Sequence, residues 1–242
     1  MKKIISKSKK IKIKIFCDTA DIKEIKKMNK NLLVEGFTTN PSLMKQAGAK
    51  NYISYSKRIL KICNKKPISF EVFANDEKNM LLQARKINKW GKNVYVKIPI
   101  INTKEMFMGN VIKKLSDDGI KLNITAIYTT QQVSKVLKKL NKNSHTILSI
   151  FSGRMADVGK DPIAVIKKSI SISKKFKKVK ILWASTREPY NYIQAKQCNC
   201  AYITIPPRII EKISQFGKTY NSLTLDTVKK FYKDAKDANY KL

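Results

Sequence analysis

The stretch Asn93-Val94-Tyr95-Val96-Lys97-Ile98-Pro99 reads as an apolar β-strand with a lysine inside it. Branched and aromatic side chains suit a pleated, packed surface. Strand alternation sends Tyr95, Lys97 and Pro99 to one face and Val96 and Ile98 to the other. Outward from this strand, in both directions, short β-rich runs alternate with amphipathic helical runs. The strands are expected at Ile11–Cys17, Leu33–Phe37, Ile68–Ala74, Asn93–Ile98, Leu122–Ile127, Thr146–Phe151, Val179–Ala184 and Tyr202–Ile205. Helices are expected from Asp21, from Pro41, over Tyr52–Cys63, over Glu77–Trp90 and over Leu225–Ala238. Pro41 suits the first turn of a helix. Eight strands, each followed by a helix and with no low-complexity linker, predict an α/β chain folded as a single-domain (β/α)8 TIM barrel spanning residues 1–242, with a C-terminal helix. An open, doubly wound sheet is the alternative, but no G-x-G-x-x-G follows the first strand to support a dinucleotide site.

The composition bounds the function classes. A length of 242 residues with 43% hydrophobic residues suits one well-buried domain. Lysine and arginine total 51 against 17 acidic residues, a net charge of +34. Such a charge suggests nucleic acid. Against that, only five residues are arginine, the residue that base readout and phosphate forks favour, and the lysines are spread along helix-surface positions. No nucleic-acid partner is therefore expected, although a positive field would steer anionic substrates. Cys198 and Cys200 form a C-x-C with no nearby ligands to complete a metal site, so reduced thiols and no metal are expected. The basic N-terminus lacks an unbroken apolar segment, and no run approaches transmembrane length; a soluble, cytoplasmic protein without membrane association is expected.

In a barrel of this kind the chemistry sits at the C-terminal ends of the strands. Lys97 is the informative residue there. A lysine facing a barrel interior loses hydration, which favours the neutral amine, and that amine can attack a carbonyl to form a Schiff base. The structural alternative is an edge lysine reaching solvent. Glu71 interrupts the apolar run Ser69-Phe70-Glu71-Val72-Phe73, and a carboxylate there is normally paired or functional. Asn123 and Thr125 point the same way on the fifth strand. A carboxylate and a threonine hydroxyl facing inward can hold a water for proton relay. Asp18 ends the first strand, where it is either a site residue or an ordinary helix N-cap. Arg154 and Arg187 follow adjacent strands and, with Ser185, form a candidate phosphate clamp; surface arginines at loop starts are the alternative.

These residues fall into patterns that resemble the transaldolase family. Gly36-Phe37-Thr38-Thr39-Asn40-Pro41-Ser42 is similar to its G-x-T-T-N-P-S, and Val96-Lys97-Ile98-Pro99 to the segment around its Schiff-base lysine. Asp18-Thr19-Ala20, Asn123-Ile124-Thr125, Ser149-Ile150-Phe151-Ser152-Gly153-Arg154 and Ala184-Ser185-Thr186-Arg187 resemble further family segments, in the family's order. The resemblance implies Lys97 as nucleophile, Asp18 as general acid/base, and Glu71 and Thr125 as holders of the catalytic water. It implies Asn40, Asn123 and Ser149 on the dihydroxyacetone moiety, Arg154, Ser185 and Arg187 on the phosphate, and Thr39 and Phe151 also lining the substrate. No cofactor is implied, because the protonated imine is itself the electron sink. Phosphorylated sugars are the implied substrates and a homo-oligomer the implied assembly.

A small branch of the family acts as free aldolases on fructose 6-phosphate and holds the water with glutamine and tyrosine. Glu71 and Phe151 at those positions, with Asn123, favour a transferase. Thr186, in place of the usual phenylalanine, and Glu188, beside Arg187, depart from the family pattern; a carboxylate next to the phosphate arginine is expected to weaken phosphate binding or alter substrate choice. Ile150 replaces a proline. A free aldolase and, from another class, a basic nucleic-acid-binding protein on a barrel scaffold are the competing readings.

Overall fold

In the computed structural model, which describes residues 13–63 and 65–241, eight parallel strands close into a barrel in sequence order. They are β1 (Lys14–Asp18), β2 (Val34–Thr38), β3 (Ile68–Glu71), β4 (Val94–Pro99), β5 (Leu122–Ile127), β6 (Thr146–Ile150), β7 (Val179–Trp183) and β8 (Tyr202–Ile205). Around them lie α1 (Ile22–Asn29), α2 (Pro41–Gln46), α3 (Tyr52–Cys63), α4 (Glu77–Asn88), α5 (Gly109–Asp117) and α6 (Thr130–Leu137). The ring is completed by α7 (Ser152–Ala156), α8 (Ile163–Ser173), α9 (Tyr190–Gln197) and α10 (Pro207–Ile213), and α11 (Tyr220–Asp237) follows as the C-terminal helix. The β1–β8 ladder, with Ile15 opposite Ile203 and Phe16 opposite Thr204, closes the sheet and excludes the open doubly wound alternative. This is a single-domain (β/α)8 barrel. The expected start of the first strand, at Ile11, and the basic N-terminal segment lie outside the described residues.

Several boundaries differ from expectation for local reasons. β3 stops at Glu71 rather than Ala74, because the backbone N–H groups of Phe73 and Ala74 both donate to Gln83 Oε1 at 2.9 Å and turn the chain toward α4. α11 starts at Tyr220 rather than Leu225, where Thr219 accepts from Ser222 N–H at 3.2 Å as an N-cap.

Two separate cores hold the barrel. Outward-facing residues such as Val96, Ile98, Ile124 and Leu148 pack against the helices and are fully buried. Each such side chain contributes roughly 1.5–3 kcal/mol relative to exposure. A second, smaller cluster fills the barrel interior: Phe16, Ile147, Leu182 and Ala184, with Tyr95, Phe151 and Tyr202 against them. The Phe16 and Tyr202 rings lie 4.9 Å apart. Gly36 makes room for this plug, since a Cβ there would meet the Phe16 ring at 2.7 Å.

The plug decides where the site lies. Inward-facing positions recur every second residue along a strand. One such step beyond Phe16, Tyr95, Ile147 and Tyr202 come Asp18, Lys97, Ser149 and Thr204. One step beyond Gly36 comes Thr38. The interior therefore changes from an apolar plug to a polar chamber within two residues on five strands.

Candidate active site

The polar chamber is a cavity of about 170 Å³, lined among others by Asp18, Thr38, Asn40, Lys97, Asn123 and Thr125. Ser149, Phe151, Arg154, Ser185, Arg187 and Thr204 complete its wall and mouth.

Lys97 is only 6% exposed. The β3–β4 register sets Glu71 directly opposite it, and Nζ lies 3.1 Å from Glu71 Oε2. Nζ also donates to the Thr39 carbonyl at 3.1 Å. The edge-lysine alternative is thereby excluded. Glu71 is placed to exchange a proton with Nζ within a shielded site.

Asp18 is not the cap of the following helix; Asp21 caps α1, accepting from Glu24 N–H at 2.8 Å. Asp18 instead faces the cavity and accepts from Thr38 Oγ1 at 2.7 Å. Burial raises its pKa above the ordinary carboxylate range, against the opposing pull of the Lys97 charge and the Thr38 hydrogen bond. A carboxyl held this way is suited to exchange protons.

A hydrogen-bonded chain crosses the chamber floor. Ser149 Oγ donates to Asn123 Oδ1 at 2.7 Å, and Asn123 Nδ2 donates to Ser69 Oγ at 3.0 Å. Thr125 Oγ1 is buried and bonds to no group among the described residues, which leaves its hydrogen-bonding capacity for a ligand or solvent. Asn40 caps α2 through Leu43 N–H at 2.9 Å and lines the cavity, and its amide N–H groups donate to no group among the described residues. Thr39 sits differently from expectation. Its side chain is fully buried and donates to the Ser69 carbonyl at 2.8 Å, and only its own carbonyl reaches Lys97.

Two arginines stand at the cavity mouth. The Arg154 guanidinium lies 5.9 Å from the Phe151 ring centroid, and Phe151 packs on Tyr128. Arg187 is forked onto Asp157, with Nε donating to both carboxylate oxygens at 3.1 Å. The carboxylate that engages this arginine is therefore Asp157 rather than the adjacent Glu188. Thr186 is buried and donates to the Thr204 carbonyl at 2.7 Å, tying the loop after β7 to β8. Ser185 adopts a left-handed backbone, φ 63°, uncommon for a non-glycine residue and typical of functional loops. Gly153 allows α7 to press against this loop, since a Cβ there would sit 1.6 Å from the Ser185 carbonyl oxygen. Gly153→Ala is accordingly expected to destabilise the fold by about 1–3 kcal/mol and to weaken inorganic phosphate binding; urea denaturation and calorimetry would measure both.

Residues 15–242 match the Transaldolase/Fructose-6-phosphate aldolase family. The chain belongs to this family. It is 36% identical over 208 residues to a probable transaldolase of Dehalococcoides mccartyi, covering 86% of this chain and 93% of that one. It is also 36% identical over 229 residues to a probable transaldolase of Thermoplasma volcanium, covering 93% and 99% respectively. Among solved structures, one described as native KDPGal superposes with a TM-score of 0.53 at 12% identity, covering 94% of this chain and 97% of the other. Orotidine 5′-monophosphate decarboxylase from Metallosphaera sedula gives 0.53 at 9% identity, covering 81% and 88%. These last two share the fold alone.

Within this transaldolase-family barrel the chamber brings together every expected site residue except two: Glu71 joins it only through Lys97, and Thr39 only through its carbonyl. Sequence reasoning pointed to Thr38 as a polar residue at the end of β2 but did not single out Thr204, Ser69 or Asp157. Thr38 and Thr204 touch each other through their hydroxyls, and Thr38 holds Asp18. The inward step of two residues that revealed Lys97 also identifies Thr204, two after Tyr202. Asp157 carries no such signal. Among the described residues no helix is long and apolar enough to cross a membrane.

Proposed function

We propose that this protein transfers a dihydroxyacetone unit from a ketose phosphate to an aldose phosphate through a Schiff base on Lys97. The observation that carries the reading is the shielded Lys97–Glu71 pair at the head of a polar chamber whose wall also holds Asp18. Glu71 accepts the Nζ proton, and the freed amine adds to the ketose carbonyl. Glu71 and the unpartnered Thr125 hydroxyl hold the water through which the carbinolamine loses hydroxide to give the protonated imine. Asp18 then takes the proton of the hydroxyl beside the scissile carbon–carbon bond. That bond breaks, its electrons flow into the imine, and an aldose phosphate departs from an enamine on Lys97. The enamine carbon attacks the aldehyde of the acceptor, Asp18 returns the proton to the new hydroxyl, and water releases the product ketose. Asn40, Asn123 and Ser149 bind the hydroxyls of the three-carbon unit, with Phe151 beside it.

Arg154, Ser185 and Arg187 receive the phosphate. An exposed pair such as Arg187–Asp157 contributes only about 0–1 kcal/mol, so a phosphate dianion displaces Asp157 readily. The reaction needs no metal or organic cofactor, and the protein works in the cytoplasm on soluble phosphosugars. Transfer is distinguished from free aldol cleavage by following fructose 6-phosphate with and without erythrose 4-phosphate. Formation of sedoheptulose 7-phosphate, with little free dihydroxyacetone when the acceptor is omitted, is the expected result. Rapid release of dihydroxyacetone without acceptor would instead establish the aldolase.

A homo-oligomer is part of this reading. α11 has no buried residue and exposes Leu225, Val228, Phe231 and Tyr232 at helical spacing. A second copy covers this face. Light scattering should give a mass above that of one chain, and Val228→Glu with Phe231→Glu should reduce it to the monomer.

A further inference from the structure

The end of the barrel opposite Lys97 carries a second feature that the chemistry above does not use. Three cavities ring this N-terminal mouth. The largest, about 1080 Å³, lies between α3, α4 and the loops entering β3, β4 and β5; seven lysines and no carboxylate line it. The second shares Tyr95 with it and adds Lys177, Lys178 and Lys180. The third shares Lys65 with the first and Tyr202 with the second, and its one carboxylate, Glu35, is held by Lys14 at 2.8 Å. Among the described residues, twelve lysines therefore face one acidic residue around the mouth, whereas the whole chain has 51 basic to 17 acidic residues. The sequence suggested an even spread of lysine; the fold concentrates it.

We propose that this mouth binds a single-stranded nucleic acid through its phosphates, without reading base sequence. Among the described residues no arginine lines the three cavities, so the recognition offered is point charge rather than planar forks. The shared residues join the cavities into a curved track, which suits a flexible chain of phosphates better than a single ion. Tyr95, Tyr202 and Trp90, partly buried, interrupt the lysines with ring edges that bases of any identity can contact. Lys121 is held in place in the track: Nζ donates to the Lys92 carbonyl at 2.7 Å and lies 5.9 Å from the Tyr95 ring centroid. The grooves are concave, so the flat surface of a bilayer fits them poorly. Because the mouth lies at the far end of the barrel, sugar turnover continues with the strand bound.

His145, the one histidine of the chain, reports on this field. It lines the second cavity with Lys177, Lys178, Lys180, Tyr95 and Tyr202, and partial desolvation together with the charges of Lys178 and Lys121 lowers its pKa. A polyanion on the track offsets those charges, so its arrival should raise the pKa of His145.

The test is fluorescence anisotropy of a labelled uridine 20-mer with the full chain, alongside NMR titration of the His145 imidazole. Binding should fall with salt at a slope of about −0.7 per phosphate neutralised. Combined Lys57→Glu, Lys65→Glu and Lys92→Glu should weaken it by about tenfold or more without changing sugar turnover; the corresponding glutamine triple, gentler on folding, should weaken it less but measurably. A charge-matched control, Lys135→Glu with Lys167→Glu and Lys168→Glu on α6 and α8, should change it less than about twofold. Equal weakening by the two glutamate triples, an unmoved His145 titration, or capture of phosphatidylserine vesicles without capture of the 20-mer would overturn the proposal.

Discussion

Replacing Lys97 by methionine is expected to lower turnover by on the order of 10⁴-fold or more, the scale seen when a covalent nucleophile is removed from a working catalytic unit. The same change should also loosen the fold. It strands the Glu71 carboxylate, whose partner Nζ lies 3.1 Å away in a shielded site, and breaking such a pair costs about 3–5 kcal/mol when fully buried. Glu71 keeps some contact with solvent, so a loss at or below the lower end is expected. Lys97→Arg separates the two effects. The guanidinium keeps a positive charge beside Glu71 but cannot form the imine, so this variant should melt closer to the parent while remaining equally inactive. Thermal melts and a coupled sugar assay on the three proteins would decide it.

Asp18→Asn is expected to move activity and stability in opposite directions. Loss of a positioned proton carrier should lower kcat by about 10²–10⁴-fold. Stability should rise at neutral pH, because burial raises the pKa of Asp18 in the fold. A group whose folded pKa is raised favours the native state below its unfolded pKa and loses that contribution as pH climbs through the folded value. At pH 7, where the unfolded chain carries this carboxylate ionised in water, Asp18 therefore disfavours the native state, a penalty the variant lacks, and asparagine can still accept the Thr38 hydroxyl hydrogen bond. The gap in melting temperature should be widest at neutral pH and should close as pH falls to the ordinary carboxylate range. A variant that is less stable at pH 7, or a gap that widens toward acid, would show that the Lys97 charge outweighs burial at this site.

Much of this architecture was legible because alternation in strands is a strong constraint. β5 and β8 fall at the expected residues, and the inward set that contains Lys97 follows from counting by two. Glu71 was legible for the same reason, as a carboxylate interrupting an apolar run. Its pairing with Lys97 was not, because that depends on the β3–β4 register, which appears only when the strands lie side by side. That register is also what puts a carboxylate 3.1 Å from Nζ. Thr204 went unread because a threonine in a four-residue strand looks like ordinary β-propensity until β8 is known to close against β1. Asp157 and Arg187 are 30 positions apart, on segments whose approach is set by Gly153 against Ser185. No local pattern encodes that contact. Glu188, the nearer carboxylate in sequence, was the natural suspect, and the fold passes it over. The concentration of lysine at one end of the barrel was hidden likewise, since its members come from two helices, several loops and two strands.

The central claim is covalent chemistry at Lys97, and borohydride trapping tests it most directly. The protein would be incubated with fructose 6-phosphate, reduced, digested and mapped by mass spectrometry, with Lys97→Arg in parallel. The account predicts a reduced three-carbon adduct on the peptide containing Lys97, absent from the variant and diminished when erythrose 4-phosphate is present to accept the unit. An adduct on a different lysine, or none with either fructose 6-phosphate or sedoheptulose 7-phosphate, would contradict it.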